Sequence, residues 1–296
     1  MSDTVTVTPF LGEANASLEK ADVAILSVPY EGAVSYGGGA ANGPSAILEA
    51  STQVELYDET LNKETIRNLN VHTLPPLDVA GLNSEELAEQ VRLAAKPHVD
   101  AERFLATLGG DHSISIGVLR AYWEKYGDQF TVLQFDAHAD MREEYDGNPL
   151  SHACVMRQVY DMGIPFVSVG IRSLSAFEKK HLTWRGLSER IFWAKDIQRW
   201  NKTGQGAWLD ELTALLGSKV YITFDVDAMD PAIMPATGTP EPGGLDWYTV
   251  NDVLDRVCAS RQIIGCDINE LAPIPGLHAP DFLCARLLYR ILGLAL

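Results

Sequence analysis

The sequence predicts an α/β fold built on one mostly parallel sheet with helices on both faces. Three observations point there. Short runs of β-branched and aromatic residues alternate with helix-like segments along the chain, the pattern of βαβ units with right-handed crossovers. The chain has 296 residues, 46% of them hydrophobic, with no linker and no shift of composition, which suits a single domain over 1–296 with 1–21 as an N-terminal extension. Three clusters of acidic and imidazole residues each follow a strand-like run, and open parallel sheets bind ligands beyond the carboxyl ends of their strands.

In chain order, the first strand covers 22–28. The glycine-rich stretch after it, Tyr36 to Pro44, is not GxGxxG, so no dinucleotide site is expected. Its glycines instead let a loop turn sharply or lie close beneath another loop. A helix over 44–55 starts with Pro44 at its first position, and a second over 84–96 takes Ser84 as cap with Glu85 and Glu86 in the first turn. Strand 104–108 precedes helix 114–125, and strand 131–135 precedes helix 152–161. Strands 166–170 and 190–193 follow, then helix 206–216, strand 220–224, helix 246–259, strand 263–268 and helix 281–294.

The formal net charge of −17 argues against nucleic acid and anionic membranes as partners and suits a small cationic substrate. The amino terminus, Met1-Ser2-Asp3-Thr4, has neither the basic nor the apolar region of a secretory signal. No apolar run approaches the roughly 20 residues of a membrane span. Cys154, Cys258, Cys266 and Cys284 form no CxxC pair, so they read as reduced thiols of a cytoplasmic protein.

The chemistry lies in three segments. Gly109-Gly110-Asp111-His112-Ser113 follows 104–108, Asp136-Ala137-His138-Ala139-Asp140 follows 131–135, and Asp225-Val226-Asp227 follows 220–224. Alternate residues of an extended chain share a side, so 136, 138 and 140 can converge, as can 225 and 227. Carboxylates gathered in this way repel one another unless cations hold them. A lone DxD is more often a turn, but three such segments in this order ask for divalent metal, two ions for this many ligands. With about one imidazole per ion and no thiolate, Mn²⁺ suits the set better than zinc. Paired ions about 3.5–4 Å apart can share a hydroxide and hold it for attack.

These segments, with Thr223 to Pro231 and the stretch Pro235 to Gly244, resemble the ureohydrolase family of arginases and agmatinases from about residue 22 to the carboxyl terminus. The resemblance implies a three-layer αβα domain with a two-manganese cluster, assembled into trimers or hexamers. It further implies that His112, Asp136, Asp140 and Asp225 bind one ion and that Asp136, His138, Asp225 and Asp227 bind the other, with Asp136 and Asp225 bridging. Asp111 and Asp230 are not among the implied ligands and read as turn or supporting residues. A guanidinium is a planar cation that a carboxylate can clamp with two oxygens, and Glu270 resembles the family's guanidinium-binding glutamate. The leaving amine needs a proton, and His152 resembles the family's proton-shuttling histidine. Catalysis is thus expected of His152, Glu270 and the ligand Asp140. His72, His98, His181 and His278 receive no role.

The stretch from Met141 to Ala153 resembles the agmatinase branch, because acids stand where arginases read the substrate carboxylate. The expected reaction is hydrolysis of agmatine to putrescine and urea, a step toward polyamines, by a hydroxide held between the ions. Aminopropylagmatine, guanidinobutyrate or arginine is the alternative substrate, and a metal-bearing subunit without turnover is the non-enzymatic alternative. Single-zinc deacetylases lack the second ligand set, and the GNH segment of calcineurin-like phosphoesterases is absent.

Overall fold

The computed structural model describes residues 7–12, 15–32 and 34–296; the opening Met1-Ser2-Asp3-Thr4 lies outside the described residues. Strand β1 (Val23–Val28) leads to helix α1 (Gly43–Ser51), a small antiparallel pair β2 (Tyr57–Asp58) and β3 (Lys63–Glu64), and β4 (Val71–Thr73). Then come α2 (Ser84–Asp100), β5 (Phe104–Gly109), α3 (Ile114–Tyr126) and β6 (Thr131–Phe135). The middle of the chain forms α4 (Val155–Asp161), β7 (Phe166–Ile171), α5 (Ala176–Trp184), β8 (Ile191–Trp193), α6 (Ala194–Lys202) and α7 (Ala207–Ala214). The last elements are β9 (Lys219–Asp225), α8 (Trp247–Cys258), β10 (Gln262–Asn269) and α9 (Ala279–Ala295).

Eight strands form one sheet in the order β4-β1-β5-β10-β9-β6-β7-β8, with every neighbouring pair parallel. Both faces are covered. Val23 and Ile25 of β1, with Leu133 and Phe135 of β6, face the core shared with α1 and α6 to α9. Ala24 and Leu26, with Val132, face the core shared with α2 to α5. This odd–even split is the two-residue period of a strand, and burial on both sides explains why the strands read as unbroken apolar runs. Each fully buried aliphatic side chain contributes roughly 1.5–3 kcal/mol, so the two cores supply most of the stabilisation.

The chain winds outward from β6 through β7 to β8, then returns to lay β9 and β10 between β6 and β5. The carboxyl ends of β5, β10, β9 and β6 therefore stand side by side at the reversal, where a crevice opens. No described helix is long and apolar enough to cross a membrane.

Several sequence expectations shift. The cap of α2 is Asn83, not Ser84: the Asn83 side chain accepts from the N–H groups of Glu85 and Glu86, and Glu86 reaches back to the Asn83 N–H. The helix expected over 152–161 begins as a tight turn, His152–Cys154, and becomes α-helical only at Val155. Of the N-terminal extension, Phe10 and Leu11 are buried in the core, tied by their N–H groups to Thr73 Oγ1 (3.0 Å) and Ser51 Oγ (2.8 Å).

Candidate metal centre and active site

The four central strands deliver the chemistry. The loop after β5 carries Asp111 and His112, and it passes so close to the loop after β1 that a Cβ at Gly110 would lie 1.9 Å from the Tyr30 carbonyl oxygen; only glycine permits that crossing. The loop after β6 carries Asp136, His138 and Asp140, β9 ends at Asp225 with Asp227 in the turn beyond it, and Glu270 follows β10. Asp140 and Glu270 both have left-handed backbone, with φ of 51° and 67°. That conformation is uncommon outside glycine and clusters at functional sites.

The expected ligands converge. His112 Nδ1 lies 3.3 Å from Asp136 Oδ2, 3.3 Å from Asp140 Oδ2 and 3.5 Å from Asp225 Oδ2. His138 Nδ1 lies 2.9 Å from Asp227 Oδ2 and 3.6 Å from Asp136 Oδ1. Asp136 thus takes part in both groups. Asp225 joins the first through His112 and adjoins the second, where its Oδ1 accepts the Asp227 N–H at 2.9 Å.

Whether these residues suit a cation is decided at His112. Its Nε2 is 2.7 Å from Thr223 Oγ1, and the Thr223 hydroxyl donates to Asp267 Oδ1 at 2.7 Å. Asp267, wholly buried, also accepts from the Tyr221 hydroxyl and the Asn269 amide. With the Thr223 proton committed to Asp267, the network assigns the ring proton to Nε2. Nδ1, buried and without a hydrogen-bond partner, faces three carboxylate oxygens; burial lowers the His112 pKa, but Asp136, Asp140 and Asp225 raise it well above the usual range, so a proton stands where a cation would. A cation between them satisfies all four atoms. The described residues offer two such groups, His112-Asp136-Asp140 and Asp136-His138-Asp227, and nitrogen with carboxylate oxygen suits a hard or borderline divalent ion.

Without cations the electrostatics are tense. Burial and then Asp136 push Asp140 up to about 7, and burial with Asp227 and Asp136 raises Asp225 well above the usual carboxylate range. Burial acts in the same direction on Asp136, but contacts from His112 and His138 hold it below that range. His138, despite burial, is drawn up to about 12 by Asp136 and Asp227. Protons thus occupy the place that cations would take.

Beside the ligands, Glu270 Oε1 accepts the His112 N–H at 2.7 Å, while the Glu270 N–H donates to the Gly110 carbonyl at 2.7 Å. Burial and Asp111 raise its carboxyl well above the usual range. His152 sits across the cavity, with Nε2 3.0 Å from Ser35 Oγ and Nδ1 3.3 Å from Ser151 Oγ, its ring edge-on to Tyr145. Burial lowers its pKa, so it is neutral near pH 7. Ser35 and His152 also wall a second cavity of about 290 Å³, reached by Arg142, Tyr145, Ser173 and Glu178. The glycine-rich loop forms the roof: the Gly37 N–H donates to the Gly238 carbonyl at 3.0 Å, and a Cβ on either glycine would press within 3.1 Å of the other's oxygen.

Other expected or overlooked residues fall into place around this core. Asp111 accepts the Gly32 N–H at 2.8 Å, and Asp230 accepts those of Ala232, Gly243 and Gly244. The acids of the 141–153 stretch stand apart: Glu143 pairs with Arg157 at 3.1 Å, and neither it nor Glu144 lines either cavity. Acidic groups at the inner cavity come instead from Glu31, Asp111 and Glu270. Sequence reasoning passed over Gln134, Thr223 and Asp267, although polar residues inside otherwise apolar parallel strands were a usable signal. Gln134 donates to Asp136 Oδ2 at 2.8 Å.

The fold and site define an α/β protein with Asp/His groups that could hold metal ions at the carboxyl edge of a parallel sheet. Residues 21–293 match the model of the Arginase family, and the chain belongs to that family, as a ureohydrolase. It is 36% identical over 95% of its length to an N(1)-aminopropylagmatine ureohydrolase of Synechocystis sp., covering 91% of that protein. It is 32% identical over 88% of its length to an agmatinase of Bacillus cereus, covering 87% of it. Among solved structures, an agmatine ureohydrolase of Thermoplasma volcanium superposes with a TM-score of 0.86 at 27% identity, over 99% of this chain and 95% of that one.

Proposed function

We propose that this protein is a binuclear, manganese-dependent ureohydrolase that removes urea from an aminoalkylguanidine, agmatine or N(1)-aminopropylagmatine. The observation that carries this reading is the buried, unpartnered His112 Nδ1 facing three carboxylates beside Glu270. His112, Asp136, Asp140 and Asp225 would hold one ion, and Asp136, His138, Asp225 and Asp227 the other. When bound, the ion pair supplies an activated water and charge stabilisation. Glu270 presents its carboxylate to the guanidinium, and the bond from the His112 N–H fixes the orientation of Oε1. His152, neutral and held between two hydroxyls, would accept a proton from water at one ring nitrogen and pass one on to the leaving amine from the other, ending neutral again.

The resemblance of 141–153 to the agmatinase branch favours a substrate that ends in an amine. Agmatine and its aminopropyl derivative share the guanidinobutyl end that would meet the metals, and the relatives named for the aminopropyl derivative, 36% and 38% identical, are more similar to this chain than the agmatinase at 32%. The second cavity beyond His152 leaves space for the longer tail. An assembly of identical subunits fits the apolar surface around Trp247, Phe282 and Leu283. The deciding experiment is a urea-release assay with added Mn²⁺ on agmatine, N(1)-aminopropylagmatine, guanidinobutyrate and arginine. The amine-ended pair should exceed the other two by at least tenfold in kcat/KM. Equal turnover of arginine would refute the substrate assignment.

A further inference from the structure

Arg172, at the end of β7, touches no expected ligand side chain, yet its guanidinium is spent entirely on main-chain carbonyls of the segments that build the site. Nη2 donates to Asp227 O at 2.7 Å, Glu241 O at 2.7 Å and Met229 O at 3.3 Å. Nη1 donates to Gly170 O at 3.1 Å and Ala228 O at 3.3 Å, and Nε donates to Glu241 O at 3.3 Å. Its own N–H donates to Ala137 O at 2.8 Å, as does that of Ser173 at 2.9 Å. One residue therefore joins the loop after β6, the turn after β9 and the wall at residue 241.

The arrangement costs something. A half-buried cation whose side-chain hydrogen bonds go to neutral carbonyls gives up solvation without the return of a direct ion pair. Packing alone would be served by a leucine or methionine. A planar fork with five donors matches a set of carbonyls radiating from one turn, which an ammonium cannot do. The turn it caps, Val226–Ala228, contains Asp227, whose Oδ1 accepts the Ala137 N–H at 2.9 Å and whose Oδ2 faces His138. Both ends of that carboxylate's environment, main chain and partner loop, are thus referenced to Arg172.

We propose that the Arg172 side chain is a positioning group for the second metal subsite, fixing the turn that bears Asp227 while leaving the His112 subsite untouched. This rests on the metal-dependent reading above. The test is a titration of metal-stripped full-length protein with Mn²⁺ alone, comparing wild type with Arg172→Met and Arg172→Lys. Wild type should take up two ions; fewer than two would count against the metal-dependent reading itself, whatever the variants do. Given two, Arg172→Met should bind its first ion within threefold of wild type and its second at least tenfold more weakly. Arg172→Lys, which keeps the charge but not the fork, should fold with wild-type circular dichroism and show the same selective loss. Urea release by Arg172→Lys should return toward wild type at high Mn²⁺. Two ions bound with wild-type affinity by Arg172→Lys, or equal weakening of both ions, would overturn the proposal. If Arg172→Met does not fold, the lysine variant alone decides.

Discussion

Asp267 is not one of the proposed ligands, yet through the Thr223 hydroxyl it sets which nitrogen of His112 faces the converging carboxylates. Replacing Thr223 with Val removes the acceptor for Nε2–H, and Asp267→Asn removes the charge that holds the Thr223 proton. Either change should weaken the first Mn²⁺ by about 10–100-fold, read by competition with a chelator, with the fold retained. Unchanged affinity in both variants would show that the lone pair at Nδ1 does not depend on this relay. His152 tests a different role. His152→Phe should lower kcat by about 10²–10⁴-fold while the Mn²⁺ affinity stays within a few-fold, because the ring touches hydroxyls rather than the converging carboxylates. Parallel losses of turnover and metal would make it a structural residue. The ligands at 136, 138, 140, 225 and 227 are on view in the sequence as period-two clusters, and His112, Glu270 and His152 through the family resemblance; Thr223 and Asp267 escape because their meaning lies in register, where Asp267 of β10 pairs with Thr223 of β9.

At the scale of elements, α5 shows how a helix far from the reaction holds the site's edge. Its capping box joins Ser175 to Glu178, and the other oxygen of Glu178 accepts the Met141 N–H at 3.0 Å, directly after Asp140. Ser175→Ala should cost about 1 kcal/mol in urea unfolding. Glu178→Ala should cost more, since it also leaves the Met141 N–H unpaired, and a smaller loss than for Ser175→Ala would contradict this coupling. The sequence made α5 hard to see. Only Glu178 and Leu182 are buried on it, and α6, 9 residues long, rests its apolar face on just Ala194, Ile197 and Trp200, so neither gives the sustained apolar repeat by which a helix is recognised. β4 is three residues long at the sheet's edge, too short for alternation to register. The central strands were legible because burial on both faces leaves long apolar runs, and their ends were legible because ligand-type residues begin there. Asn83 and Ser84 are both good capping residues in sequence; only geometry shows that the Asn83 side chain accepts the two N–H bonds.

Across the whole molecule, the acidic site ties stability to metal and pH. Asp140 in the fold sits at about 7, above the roughly 3.9 of an unfolded aspartate, so the metal-free fold holds this proton more tightly than the unfolded chain does. Its contribution to stability is therefore present at low pH and is lost as pH rises through that window. Mn²⁺ competes with the same proton, so its stabilising effect should grow over the same range. The rise in Tm on adding Mn²⁺ should be several degrees larger at pH 7.5 than at pH 5.5, and binding should release protons into a weak buffer. A metal-induced shift that is flat or larger at pH 5.5 would mean the carboxylates are not the binding groups.

The most direct measurement is a crystal structure of the Mn²⁺-loaded protein with anomalous scattering collected at the manganese edge. Two peaks are expected about 3.5–4 Å apart, one among His112, Asp136, Asp140 and Asp225, the other among Asp136, His138, Asp225 and Asp227. A single peak, or none within reach of His112 Nδ1, would contradict the account.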